Sequence, residues 1–154
     1  TVGLTYTAVM YGVLIEFYLK REMPSMPVLS VLGFLGYAGA IGLRYWAFHH
    51  LADQWGVHLD DTNRPEWRLI QSGPYRFIRH PLYTGAIAET LMLALAFHSF
   101  ISLACALVFF VPCEIHRAYC EERFLRHVFG DAYRKYAART GAFLPRPVKS
   151  GGQE

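Results

Sequence analysis

Two short stretches concentrate the side chains able to do chemistry. The first is Gly73-Pro74-Tyr75-Arg76-Phe77-Ile78-Arg79-His80-Pro81-Leu82-Tyr83-Thr84-Gly85, and the second is Arg117-Ala118-Tyr119-Cys120-Glu121-Glu122. Each adjoins a long apolar segment, where ionisable groups are costly to bury and are therefore functional candidates by default. The set is arginine, histidine, tyrosine and paired glutamates. It suits a zwitterionic ligand: Arg or His for a carboxylate, Glu for an ammonium or sugar hydroxyls, aromatic faces for a cation. The plainer alternative is a snorkelling, salt-bridged interface in which Arg79 and Arg117 pair with Glu121 and Glu122. Other chemistries lack their residues. No Ser/His/Asp order or HExxH zinc helix is present, and the histidines form no repeated metal boxes, although His49, His50 and His58 share one segment. Cys105, Cys113 and Cys120 show no CxxC spacing and read as free thiols. No metal is expected.

The elements that must position these residues are apolar. Charged residues make up 18% of the 154-residue chain and hydrophobic ones 53%, whereas soluble domains carry about 25% charged residues. No charge interrupts Met23 to Leu43 or Thr90 to Cys113, and Glu16 is the single charge from Thr1 to Leu19. A bilayer core takes roughly 20 apolar residues of helix, and a chain this short cannot wrap three such blocks in a soluble core. An all-α integral membrane helical bundle follows, with the lipid bilayer as its surroundings. The first block lacks a basic leader and a small-residue cleavage site, so it reads as a helix over Thr5–Leu19 rather than a signal peptide. In the second helix, Val28–His49, Gly33, Gly36, Gly39 and Gly42 allow close helix packing; a glycine-rich nucleotide loop lacks its strand–turn–helix context.

Pro81 to Cys113 as one helix would be about 50 Å long, too long for a core of about 30 Å. A hairpin turning near His98-Ser99-Phe100 resolves this and brings the number of transmembrane helices to about four. From Glu114 to Arg139, aromatic and apolar residues recur at helical spacing among charges, predicting an amphipathic cytoplasmic helix interrupted by Gly130. The chain thus divides into N-terminal transmembrane helices (1–49), a cytoplasmic interfacial segment (50–80) flanked by Trp46, Trp55 and Trp67, a C-terminal hairpin and ligand-binding segment (81–147), and a disordered tail (148–154). Of fifteen Lys and Arg residues, eight follow Cys113 and five lie between Arg44 and Arg79. Such segments stay cytoplasmic, which puts both polar stretches on one side of the membrane. No basic stripe on a soluble fold offers a nucleic-acid surface.

Gly73-x-Tyr75-x-x-x-Arg79-His80-Pro81-x-Tyr83, then Glu121-Glu122, then Phe129-Gly130-x-x-Tyr133-x-x-Tyr136 resembles the isoprenylcysteine carboxyl methyltransferase and phospholipid methyltransferase family. The resemblance extends through Leu125, Arg139 and Pro145, and upstream Arg44-Tyr45-Trp46 and Leu51 to Trp55 are similar to bacterial members, so it covers residues 44–147. It implies S-adenosyl-L-methionine bound without a Rossmann domain, and an enzyme of the bacterial inner membrane whose active site faces the cytoplasm. Carried over, Tyr75, Arg79, His80, Pro81, Tyr83 and Glu122 would bind the cofactor, with Glu121 beside it. Arg117, Glu121 and Arg139 would act on the substrate side. Adjacent glutamates point about 100° apart on a helix, so Glu122 is expected on the cofactor and Glu121 on Arg117. The departures from the family pattern are short N-terminal coverage, Thr140-Gly141 after Arg139, where members often carry Val-Pro, and Glu89 inside a span.

The implied reaction moves a methyl group from a sulfonium to oxygen, nitrogen or sulfur of a lipophilic acceptor. Positioning and exclusion of water are the protein's share. A phenol would need a base, for which Glu121 or His80 is available. The main competing reading is an NADPH-dependent sterol-type reductase, which shares the RHP-Tyr element and the acidic pair. Such reductases typically carry Asn where this chain has Leu82 and Trp where it has Tyr133. A non-catalytic scaffold would leave the Tyr and His positions unexplained.

Overall fold

Lipid supplies no hydrogen bonds, so a spanning backbone must satisfy itself, and helix does so within one segment. The computed structural model, which describes residues 2–20, 26–51 and 68–146, is helical: among the described residues there is no strand, and a single isolated bridge joins Ile78 and Gly141. Helices α1 (Val2–Leu19), α2 (Pro27–Leu51), α3 (Pro81–Ala96), α4 (Phe100–Cys105) and α5 (Val111–Arg139) follow in order, with a 3-10 turn at Gly73–Arg76 and a π-helical stretch, Ala106–Phe110, fusing α4 to α5. Two helical runs, Pro27–Leu51 and Phe100–Arg139, are long and apolar enough to cross a membrane, while Gly3–Leu19 and Pro81–Ala96 are shorter apolar helices. The sixteen residues of α3 reach only about 24 Å. The expected anchors Trp55 and Trp67, the loop with His58, and the tail 148–154 lie outside the described residues.

The apolar surface is turned outward. Leu14, Ile15 and Phe17 on α1, Leu32 and Leu35 on α2, and Leu107, Val108 and Phe109 near α4 are all exposed. A small cluster of Val9, Ala106 and Phe110, with Tyr6, Ala86, Ile87 and Leu91 against it, fills the inside. The tightest seam is α2 on α3. A Cβ at Gly33 would lie 2.6 Å from the Ala96 backbone, one at Gly36 would strike Met92, and one at Gly85 would meet Arg44 and the Ala40 carbonyl. Small residues therefore let these backbones approach, but only part of the expected set serves, since Gly39 and Gly42 face open space.

Helix α3 stops at Ala96, and His98 takes a left-handed φ of 53° in the turn before α4. The buried Glu16 carboxylate of α1 accepts hydrogen bonds from the Ile101 N–H (3.2 Å), the Ser102 N–H (2.9 Å) and the Ser102 hydroxyl (2.9 Å). An acidic group thus satisfies the orphan donors that open α4, and Lys20 pairs with the same carboxylate. The lone charge of the first apolar block is a structural cap at the end of the bundle away from the two polar stretches. At the other end α5 breaks at Gly130 (φ 50°, ψ −122°), a conformation glycine adopts at little cost, and the chain folds back toward Arg79 and His80.

Candidate active site

The Arg-His-Pro segment is prepared by its backbone. Gly73 has φ 57°, and a Cβ there would collide with the His50 ring, so glycine opens the 3-10 turn for conformational and steric reasons alike. His80 precedes α3 as its N-cap residue and Pro81 begins the helix, where its missing N–H costs nothing. The Arg79 N–H donates to the Gly141 carbonyl (2.8 Å) and the His80 N–H to the Ala142 carbonyl (3.0 Å). The Tyr136 hydroxyl donates to the Tyr75 carbonyl at 2.7 Å, and Thr84 donates to the Phe143 carbonyl at 3.3 Å. Residues 75–84 are in this way laid against residues 136–143. The Thr140-Gly141 departure has a physical reason: the Thr140 hydroxyl donates to the Tyr136 carbonyl, and a Cβ at Gly141 would sit 1.7 Å from the Leu144 carbonyl oxygen.

Glu122, on α5, carries the charge network. Its Oε1 accepts from Arg79 Nε (2.8 Å) and Nη2 (2.7 Å) and lies 3.2 Å from His80 Nε2. Its Oε2 accepts from Arg126 at 3.1 Å. Arg79 Nη1 donates to the Ala137 and Thr140 carbonyls. Burial holds the His80 imidazole below its ordinary 6.5 despite the carboxylates of Glu121 and Glu122. A neutral ring next to an anion held by Arg79 donates its Nε2–H. Burial, reinforced by Glu121, likewise pushes the Tyr75 phenol up. Arg79 and Glu122, both expected on the cofactor, are engaged with each other and with the protein.

Glu121 faces a different way. It is half-buried, and its charge bears on Tyr83, Tyr75 and His80. The expected Arg117–Glu121 pair is not formed: among the described residues Arg117 instead lies over the Tyr83 ring, 5.5 Å from its centroid. The His80 ring sits between Tyr83 (5.6 Å) and Phe143 (5.7 Å). Tyr133 is fully buried, and its hydroxyl has no hydrogen-bond partner among the described residues. Tyr75, His80, Tyr83, Arg117 and Glu121 thus share one neighbourhood, with buried Pro81 behind them. Arg139 does not join it; that side chain is exposed and donates to Gln71 at 3.4 Å.

A second buried charge cluster was hidden in the sequence. The Glu89 carboxylate of α3 accepts from Tyr6 of α1 (2.7 Å) and pairs with Arg44 of α2. Its signal was the isolation of Glu89 within an apolar run. The i, i+4 spacing of Glu122 and Arg126 was legible; the carbonyls of Ala137 and Thr140, and the Phe143 ring, had no sequence signal.

A family model for phospholipid methyltransferases matches residues 28–132. The chain is 37% identical over 94 residues to the cobalt-zinc-cadmium resistance protein CzcN of Cupriavidus metallidurans, covering 55% of this chain and 39% of CzcN. It is 28% identical over 67 residues to the uncharacterized protein YpbQ of Bacillus subtilis, covering 44% of this chain and 39% of YpbQ. The matched region therefore spans about two fifths of each relative.

Proposed function

The chain belongs to the phospholipid methyltransferase family, and on that premise we propose that it is an integral membrane enzyme transferring a methyl group from S-adenosyl-L-methionine to a lipophilic acceptor. The observation that carries this reading is the convergence of Tyr75, His80, Tyr83 and Glu121 from segments some forty residues apart. The donor set fits a zwitterionic sulfonium: a half-buried carboxylate for an ammonium or ribose hydroxyls, aromatic faces for the positive centre, and the orphaned Tyr133 hydroxyl as a spare donor. When bound, the cofactor supplies a methyl group already activated by its charge.

The chain's own residues orient and enclose. The cofactor contact expected of Glu122 passes to Glu121 in this reading, because Glu122 is engaged with His80 and Arg79 and so sets the position of the Arg-His-Pro segment. A neutral His80, flanked by Tyr83 and Phe143, contributes an aromatic wall without adding a positive charge near a sulfonium. Arg117, stacked on Tyr83, is placed to orient an acceptor through its remaining donors. Four crossings, with both termini cytoplasmic in a bacterial inner membrane, complete the reading. Its supports are the two long apolar runs, the two shorter apolar helices and the turn at Phe97–Ser99. Calorimetry on detergent-solubilised protein tests the cofactor: saturable S-adenosylmethionine binding with no NADPH binding is expected. Tight NADPH binding with a silent S-adenosylmethionine titration would favour the reductase.

A further inference from the structure

Glu114 is a buried carboxylate, only 4% exposed, that among the described residues makes no hydrogen bond and no ion pair. The two guanidinium groups whose charge reaches it make no hydrogen bond to it: Arg44 pairs with Glu89, and Arg117 lies over the Tyr83 ring. The other buried carboxylates among the described residues are satisfied. Glu16 has the start of α4 and Lys20, Glu89 has Tyr6 and Arg44, and Glu122 has Arg79, His80 and Arg126. Its oxygens are not sealed in, since the Tyr133 hydroxyl is the fully enclosed polar atom without a partner among the described residues, and a carboxylate at such depth without a donor is unfavourable; among the described residues Glu114 is therefore the buried carboxylate open to a donor from outside the chain.

Its position says what that donor belongs to. Seven residues separate Glu114 from Glu121, almost two helical turns, so both lie on the face of α5 turned to α3, with Glu114 roughly 10 Å farther into the apolar part. The Tyr83 hydroxyl feels both carboxylates. Glu114 thus adjoins the cofactor neighbourhood on its membrane side, where a lipophilic acceptor would present its reacting group. Arg44 is offset by Glu89 and Arg117 by Glu114, so the surroundings are close to neutral, and either a carboxylate or an ammonium would add an uncompensated charge. A neutral hydroxyl satisfies Glu114 without adding charge.

Resting on the methyltransferase reading above, we propose that Glu114 binds the hydroxyl of the methyl acceptor and takes its proton, so that the acceptor is a lipophilic alcohol or phenol. Glu114 takes the O–H proton as the oxygen bonds the methyl carbon and the carbon–sulfur electron pair stays on sulfur. A carboxylate and a sulfonium are thereby converted to a carboxylic acid and a thioether, with no charge left over. Glu121 and His80 are less suited to this task, because Glu121 serves the cofactor and the His80 Nε2 is held by Glu122.

Equilibrium binding to protein in lipid nanodiscs, corrected for empty discs and without any methyl donor, tests the site with 4-nonylphenol, 1-decanol, 4-nonylanisole and decanoate. A hydrogen bond to a charged group predicts that a hydroxyl probe binds wild type about 10-fold or more tighter than the ether, and that Glu114→Met abolishes the difference. The tighter of the phenol and the alkanol names the acceptor class. Equal binding of 4-nonylphenol, 1-decanol and 4-nonylanisole, or tightest binding of decanoate, overturns the proposal. Glu114→Met should melt no lower than wild type, because an apolar side chain replaces an unpartnered charge; a marked drop would reveal a structural partner and equally overturn it. S-adenosylmethionine calorimetry on wild type keeps the two readings apart. A hydroxyl preference without cofactor binding retains this site and undoes the methyltransferase assignment.

Discussion

The Arg79–Glu122 junction and the Tyr6–Arg44–Glu89 triad both bury charge between segments distant in sequence, yet they are built differently. At the junction both carboxylate oxygens are bonded, Arg79 also gives its Nη1 donors to two backbone carbonyls, and the paired side chains are only 11% and 10% exposed. In the triad the Arg44 side chain is 40% exposed against 7% for Glu89. A saturated network fixes geometry, because every group would lose a partner on moving. An open one ties three helices together while leaving a guanidinium able to face something else. The first sets the Arg-His-Pro segment in place; the second holds α1 and α2 on α3 beside the Glu114 position.

The contrast is sharpest under substitution. Glu122→Gln leaves the buried Arg79 without its counter-charge and should cost about 3–5 kcal/mol, read as a large drop in unfolding midpoint in detergent; a loss below about 1 kcal/mol would make the junction an ornament of the surface. Glu121→Gln should barely move that midpoint but weaken S-adenosylmethionine binding about 10- to 150-fold, measured by calorimetry. If the two variants exchange phenotypes, the roles given to the glutamates are reversed. Glu89→Gln should cost about 1–3 kcal/mol, less than Glu122→Gln because solvent and headgroups screen the half-exposed Arg44. Its loss should appear first as protease access to α1, and an unchanged cleavage pattern would deny the triad its clamping role.

The smallest effect is a pH dependence. Burial depresses the His80 pKa below 6.5, so as pH falls through that value the unfolded chain takes up a proton that the folded one refuses. The unfolded state then binds more protons, and stability declines with falling pH by at most about 1.4 kcal/mol per unit. It levels off once the folded imidazole also protonates. Replacing His80 with Asn should flatten this slope; a slope that persists would belong to another group.

Some of this was legible from residues alone because it follows from composition and period. Apolar blocks lacking charge demanded helices, and excess length in Pro81–Cys113 demanded a turn, which the chain makes at Phe97–Ser99. The RHPLY, EE and FGxxYxxY order pointed to the family over residues 44–147, and the family model matches residues 28–132. Adjacent glutamates had to diverge, since a helix rotates each residue by about 100°. What each would meet was a different question, and the expected Arg117–Glu121 pair is not formed among the described residues. The answer depended on the approach of Arg79 and His80 from 43 and 42 residues away, and helical periodicity carries no information about that distance.

The amino-acid sequence by itself determined that this is a helical membrane chain of its family, with two polar stretches at one end, because hydropathy and motif order are properties of the string. Only the tertiary structure decided the partnerships: Glu122 with Arg79, Arg117 on Tyr83 rather than on Glu121, Glu89 with residues of two other helices, Arg139 out at Gln71, and Glu114 with none among the described residues. Ion pairs and hydrogen bonds are selected by geometry within about 4 Å. Which groups come that close is set by how glycine-lined helices pack and where the chain folds back at Gly130, not by the spacing of charges along the chain.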